Sequence, residues 1–202
     1  ISVGEDGATH QCLEDIALMR VIPGMVVINP ADAVEARAAV IAAYEYDGPV
    51  YLRFGRLAVP VINDRPDYKF EWGKGYVVKE GTDVTIIATG LEVAAAIDAA
   101  ELLEKEGINA EIVNIHTIKP IDKDLIVKEA EKTGKVVTVE EHSVIGGLGS
   151  AVCEVLSENH PLPVKRIGVY DRFGESGPAV ELLHKYKLDG EGIAEQVKGY
   201  LK

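Results

Sequence analysis

Cysteine is scarce: Cys12 and Cys153 are the only two among 202 residues and lie far apart. That excludes a disulfide-stapled scaffold, and with no Cys or His pairs at ligand spacing it excludes a protein zinc site. Both thiols fall on apolar faces of predicted helices, so buried free cysteines are expected. Cations are in deficit too, 21 Lys and Arg against 33 Asp and Glu, for a formal charge of −12. Clustered positive charge is what binds phosphate backbones and anionic lipid, so nucleic acid and membrane surfaces are excluded as partners. A small phosphorylated substrate is not, because one or two well-placed arginines suffice to hold it. No run approaches the roughly 18 apolar residues of a membrane span, and no charged-then-apolar leader opens the chain. A cytoplasmic protein is expected.

What is present is a globular composition, 47% hydrophobic and 27% charged, enough for one or two compact cores. Helical spacing of Cys12, Ile16 and Met19 predicts a short helix over 11–19, and the run Met25 to Ile28 a buried strand. Asp32 is placed to cap a helix through Tyr44, and Val50 to Arg53 reads as the next strand. A sheet of these strands alone would have exposed edges. Residues 63–75, with Asn63, Asp64, Arg65, Pro66 and Asp67, read as a linker between a first unit over 1–62 and a second over 76–202. In the second, Tyr76–Val78 and Val84–Ala88 are strand-like, and the tight connection Glu80 to Asp83 predicts an antiparallel pair. Helices follow at 91–105, 122–133, 149–156, 179–186 and 191–201, and strands at 110–115, 136–140 and 164–169. Strands separated by helices imply parallel crossovers covered on both faces.

Site-like composition concentrates in Gly4-Glu5-Asp6-Gly7-Ala8-Thr9-His10-Gln11. Two glycines permit a sharp turn or a close approach to a ligand, and Asp6 and His10 supply an acceptor and a proton carrier. Read alone, the same residues also describe an ordinary Asp-Gly turn followed by a Thr9 helix cap.

The octet resembles the transketolase signature, with Ala8 where proline is usual. The similarity continues through Arg20, Pro23 and Asn29-Pro30-Ala31-Asp32-Ala33, then Arg53 to Pro60, Thr117 to Asp122, Val139 to His142 and Asp171 to Gly177. It covers essentially the whole chain and is similar to the C-terminal subunits of split transketolases. The resemblance implies an α/β fold: a truncated pyrimidine-binding half domain of the thiamin diphosphate fold, then a three-layer α/β/α C-terminal domain. That domain is expected to hold a mostly parallel five-stranded sheet with one antiparallel strand. It also implies a thiamine diphosphate- and Mg2+-dependent transferase of carbohydrate metabolism, as in the pentose phosphate pathway. Such an enzyme moves a two-carbon ketol unit from a ketose phosphate to an aldose phosphate.

Carried over residue by residue, the resemblance gives His10 the donor hydroxyls and proton relay, and Asp6 the stereochemistry beside the reacting carbon. Arg56 receives the sugar phosphate, which suits a planar guanidinium fork. Arg53 is a weaker phosphate candidate, and Gly55 stands where transketolases commonly carry serine, one hydroxyl donor fewer. The family's catalytic glutamate and the aromatic residues packing the pyrimidine lie upstream of the octet, and another domain holds the diphosphate and metal. The cofactors are therefore not expected to be held by this chain alone. It is expected to be inactive by itself, to form a homodimer, and to need an N-terminal diphosphate-binding subunit. Ile1 in place of methionine fits a truncated or proteolysed product.

Elsewhere the residues read as structure. Ile145 to Ser150 has the look of a phosphate cradle, but its lysine is missing and Glu140 and Glu141 lie alongside, which favours packing. His142 reads as a dimer-face or packing residue, His116 as structural beside a turn at Lys119-Pro120, and Arg172 to Gly177 as surface or interface structure. Related alternatives are a 1-deoxyxylulose-5-phosphate synthase or a 2-oxo acid dehydrogenase beta subunit; outside enzymes, a dimerisation module.

Overall fold

Val84, Thr85, Ile86, Ile87 and Ala88 are all fully buried, as strand residues are when helices cover both faces of a sheet. The computed structural model describes residues 1–202. After a 3-10 turn at Gly4–Asp6 come α1 (Asp15–Arg20), β1 (Val26–Ile28), α2 (Ala33–Glu45) and β2 (Val50–Leu52). An irregular segment leads to β3 (Tyr76–Lys79), β4 (Val84–Ala88), α3 (Glu92–Glu104), β5 (Ala110–Asn114) and β6 (Thr117–Lys119). The rest is α4 (Lys123–Thr133), β7 (Val136–Ser143), α5 (Leu148–Asn159), β8 (Val164–Val169), α6 (Ala179–Lys185) and α7 (Gly190–Leu201).

The large sheet has the order β3-β5-β4-β7-β8, parallel except for β3, which runs antiparallel to β5. On one face α3 and α7 contribute Ala96, Leu103, Ile193 and Val197 to the core. On the other, α4 and α5 contribute Ile126, Ala130, Val152 and Leu156. This is the three-layer, mostly parallel architecture expected. From β5 the chain crosses to the far side of β4, so the sheet has a switch point beside β4, where such folds open a crevice past the strand ends. Here that crevice is filled by the beginning of the chain. Asn29, just past β1, accepts from Gly90 N at 3.2 Å and from Thr89 Oγ1 at 3.3 Å, and Leu13 O accepts from Ser143 N at 2.7 Å.

The small sheet has the order β2-β1-β6, with β1 parallel to β2 and antiparallel to β6. One of the two edges expected to be bare is therefore covered, by a strand from much later in the sequence. Where a turn was anticipated before Pro120, Thr117 and Lys119 instead pair with β1, and Lys119 Nζ donates to Arg20 O (2.9 Å) and Ile22 O (2.6 Å). The irregular segment packs Phe70 and Trp72 on Val26, Ile28 and Ala39. Its Tyr68 hydroxyl donates to Glu35 Oε1 at 2.8 Å, a buried carboxylate that also accepts from Ala31 N and Asn114 Nδ2.

Three local expectations are corrected. The antiparallel pair of β3 with β4 does not form: β5 lies between them, because Thr82 and Asp83 N–H both donate to Asn109 O and carry the connection past β5. The first helix starts at Asp15 rather than Gln11, since Gln11 is bonded into the preceding turn. Cys12 consequently lies outside any helix and is exposed, and Cys153 on α5 is only partly buried; both are free.

Candidate functional site

Gly4 and Gly7 both have φ of +75°, a left-handed backbone that costs a side-chain-bearing residue energy and glycine very little. The octet winds on itself: Gly7 N donates to Gly4 O, and His10 N and Gln11 N both donate to Gly7 O at 3.0 and 3.1 Å. His10 projects from this coil into solvent. Thr9 caps no helix; its hydroxyl pairs with His10 Nδ1 at 3.0 Å. Asp6 forms an ion pair with Arg56 across the turn, both side chains substantially exposed.

His10 and Arg56 line one cleft of about 420 Å³, with Cys12, Tyr51, Arg53 and Glu141 among its other walls. Asp6 joins it through Arg56. The fold thus brings together the three residues singled out from the sequence. The cleft lies where β2 and β7 both end, so one wall comes from each sheet.

Arg53 is engaged within the protein. Its side chain is mostly buried, Nε donates to Asp15 Oδ2 at 2.8 Å, and Nη2 donates to Cys12 O and Glu141 O at 3.1 and 3.0 Å. Tyr51 Oη donates to the same Asp15 oxygen at 2.8 Å, and burial, then that hydrogen bond, pushes the phenol well above its ordinary value. Arg53 therefore ties β2 to the segment after the octet and to the end of β7. Asp15 and Tyr51 have no local sequence signal marking them as its partners; the contacts exist only after the two sheets meet.

The glycine-rich turn before α5 is also occupied from within. Glu140 accepts from Leu148 N at 2.6 Å and Gly149 N at 2.8 Å, the place an anion takes at a helix N-terminus. Burial raises its carboxyl to about 7, against the pull of those two N–H groups. His142 is buried as a packing residue: Nε2 accepts from Ile16 N at 3.1 Å and Nδ1 faces Ser143 O at 2.7 Å, an arrangement that fits a neutral ring. Burial, first among several causes, lowers its pKa. His116 is buried under Phe70, ring centroids 4.6 Å apart, and burial lowers it to about 4. No three His, Cys, Asp or Glu side chains converge to hold a metal ion, and no helix is long and apolar enough to cross a membrane.

Residues 1–61 match the family model described as transketolase, pyrimidine binding domain, and residues 73–193 match transketolase, C-terminal domain. A chain assigned as a transketolase C-terminal section in Methanocaldococcus jannaschii is 50% identical over all of this chain and 64% of its own length. The 6-deoxy-6-sulfo-D-fructose transketolase subunit SqwH of a Clostridium species is 48% identical over 93% of this chain and 58% of its own. A 1-deoxy-D-xylulose-5-phosphate synthase of Heliobacterium modesticaldum is 43% identical over 95% of this chain and 30% of its own. Among solved structures, a split gene transketolase described as an inactive beta4 tetramer superposes with a TM-score of 0.88 at 52% identity, covering 96% of this chain and 62% of that one. The chain spans about three-fifths of the length of the first two relatives.

Proposed function

The chain belongs to the transketolase family, and from that premise we propose that it is the C-terminal part of a split, thiamine diphosphate-dependent transketolase. The reaction proposed is transfer of a two-carbon ketol unit from a ketose phosphate to an aldose phosphate, within cytoplasmic carbohydrate metabolism. The observation that carries the reading is the shared cleft of His10 and Arg56, with Asp6 paired to Arg56.

Each residue has a role that its surroundings support. His10 presents an exposed imidazole whose only side-chain hydrogen bond is to Thr9, so it is free to take and return a proton at a substrate hydroxyl. Arg56 is held only by an exposed carboxylate, a weak partner in water. A phosphate dianion that engages the guanidinium fork replaces that partner with two charge-assisted bonds. Asp6, released toward the cleft, accepts from a sugar hydroxyl and so selects its configuration.

Thiamine diphosphate supplies the carbanion-stabilising chemistry when bound. The residues of this chain do not fit its diphosphate or the accompanying Mg2+. No acidic or imidazole cluster is present to ligate the ion, and the glycine-rich helix starts are occupied from within, that of α5 by Glu140 and that of α7 by the Asp189 cap. Both groups belong, in this proposal, to the assembly: a homodimer of this polypeptide with an N-terminal diphosphate-binding subunit, the isolated chain being inactive. The superposed split gene transketolase, an inactive beta4 tetramer, supports a need for the second subunit.

Mixing the intact polypeptide with its diphosphate-binding partner tests the proposal. Ketol transfer between ketose and aldose phosphates that depends on thiamine diphosphate is the predicted result. Carbon dioxide release from pyruvate with glyceraldehyde phosphate, and no ketol transfer, contradicts it and assigns the chain to the synthase branch.

A further inference from the structure

The loop from Asp171 to Gly177 has no part in the reaction proposed above, yet it is braced more firmly than a surface turn needs. Asp171 holds a φ of +35°, a conformation that side-chain-bearing residues keep only when neighbours enforce it. The Arg172 guanidinium lies 3.9 Å from the centroid of the Tyr186 ring, Tyr186 Oη donates to Phe173 O at 3.2 Å, and Lys185 pairs with Glu175 at 2.5 Å. Tyr186 is itself buried in the main core. The loop is therefore fixed to the large domain.

Its other side meets the octet at three points. Gln11 is buried, and its Nε2 donates to Glu175 O at 2.9 Å, while Ile1 O and Gly4 O lie at 3.2 and 3.3 Å from the same nitrogen. Gly7 faces Ser176, whose hydroxyl would be 2.2 Å from a methyl group on that glycine. Gly4 faces backbone, with Gly177 O and Ala179 N each 3.2 Å from where its Cβ would be. The fit is reciprocal: a methyl on Gly174 would lie 1.7 Å from Gln11 Oε1. A glutamine end held by its Nε2 bonds cannot swing aside without giving them up.

We infer that Gln11 is a positioning residue, clamping the octet to the Asp171–Gly177 loop so that the large domain sets where His10 stands. The inference rests on the reading of His10 as the acid-base residue. His10 is the neighbour of Gln11 in sequence, and its own side chain has no partner beyond Thr9. The backbone from which the imidazole projects is held by Gly7 O on one side and by the Gln11 amide on the other. A displacement of about 1 Å at a reacting group costs on the order of 100-fold in rate, so a small loosening of this clamp is a large effect at the site.

Gln11→Leu removes the donors at nearly constant volume, and Gly174→Ala keeps every donor but drives a methyl into Oε1. Amide hydrogen exchange on the chain itself reads the clamp. In each variant the His10 and Gln11 amides are expected to exchange at least about tenfold faster, with β4 and β7 unchanged. In the assembly with the partner subunit, kcat is expected to fall roughly 10- to 100-fold while the affinity for thiamine diphosphate stays the same. Where Gln11→Leu speeds exchange across the whole sheet, Gly174→Ala is judged by the same criterion. Octet amides that exchange as in the parent chain in both variants overturn the clamp. Faster octet exchange with unchanged kcat, in an enzyme that His10→Ala disables, overturns the positioning role. If His10→Ala itself leaves ketol transfer intact, the acid-base reading fails, and the exchange result stands apart from it.

Discussion

Arg53 Nε donates to Asp15 Oδ2 at 2.8 Å, and the two side chains are nearly buried together at the meeting of the two sheets. The same guanidinium holds Cys12 O and Glu141 O. It thus joins three segments that are distant in sequence with one rigid fork, a task that lysine cannot reproduce.

Removing that fork leaves Asp15 a buried carboxylate without its cation, and leaves Cys12 O and Glu141 O without their donor. Arg53→Met is expected to cost about 3–5 kcal/mol of stability, measured as a shift in the denaturant midpoint at constant slope. Arg53→Lys, which keeps the charge but not the geometry, is expected to recover only part of it. A loss below about 1 kcal/mol in Arg53→Met contradicts a structural role and returns Arg53 to the list of phosphate ligands.

His116 predicts a pH dependence. Burial lowers it from 6.5 to about 4, so between those values the unfolded chain binds a proton that the folded chain refuses. Stability from this group is complete above pH 6.5 and is lost as pH falls toward about 4, a change of about 3 kcal/mol. Denaturation of the parent and of His116→Gln at pH 7 and pH 4.5 checks it. The parent should weaken by more over this interval, and parallel behaviour of the two proteins would falsify the assignment.

Glu92 predicts the opposite slope. At the start of α3 it is fully buried, and neither carboxylate oxygen has a hydrogen-bond partner. Burial, then the nearby Glu141, raises its carboxyl well above the usual range. A raised acid binds its proton more tightly when folded, so its contribution is present at low pH and declines as pH rises above about 4.3. Glu92→Gln should match the parent near pH 4 and exceed it in melting temperature at pH 8. A variant less stable than the parent at pH 8 would show that Glu92 works as an ionised, paired carboxylate.

Much of the large domain was legible because its signals are local and periodic. Val84–Ala88 and Ala110–Asn114 read as strands and are strands, and Asp32 caps its helix in the sequence as in the fold. What failed was pairing. The tight connection Glu80 to Asp83 suggested a hairpin, yet β5, a strand from later in the chain, takes the place beside β3. The pairing of β6 with β1 was equally hidden, since Thr117–Lys119 is too short to carry a period. At the site, the octet put forward His10 and Asp6 by composition and resemblance, and the fold sets both beside Arg56. Asp15 and Tyr51, ordinary helix and strand residues by pattern, gained their roles from a contact between sheets. Cys12 misled because a helical spacing was read through a segment that Gln11 bonds into the turn.

The central claim is that His10 moves the proton in a ketol transfer. Its most direct test is kcat of the thiamine diphosphate-loaded assembly built with His10→Ala, compared with the parent under saturating sugar phosphates. The account predicts a fall of roughly two to four orders of magnitude with assembly intact, as the loss of a positioned acid-base group gives. A kcat within about threefold of the parent would contradict it.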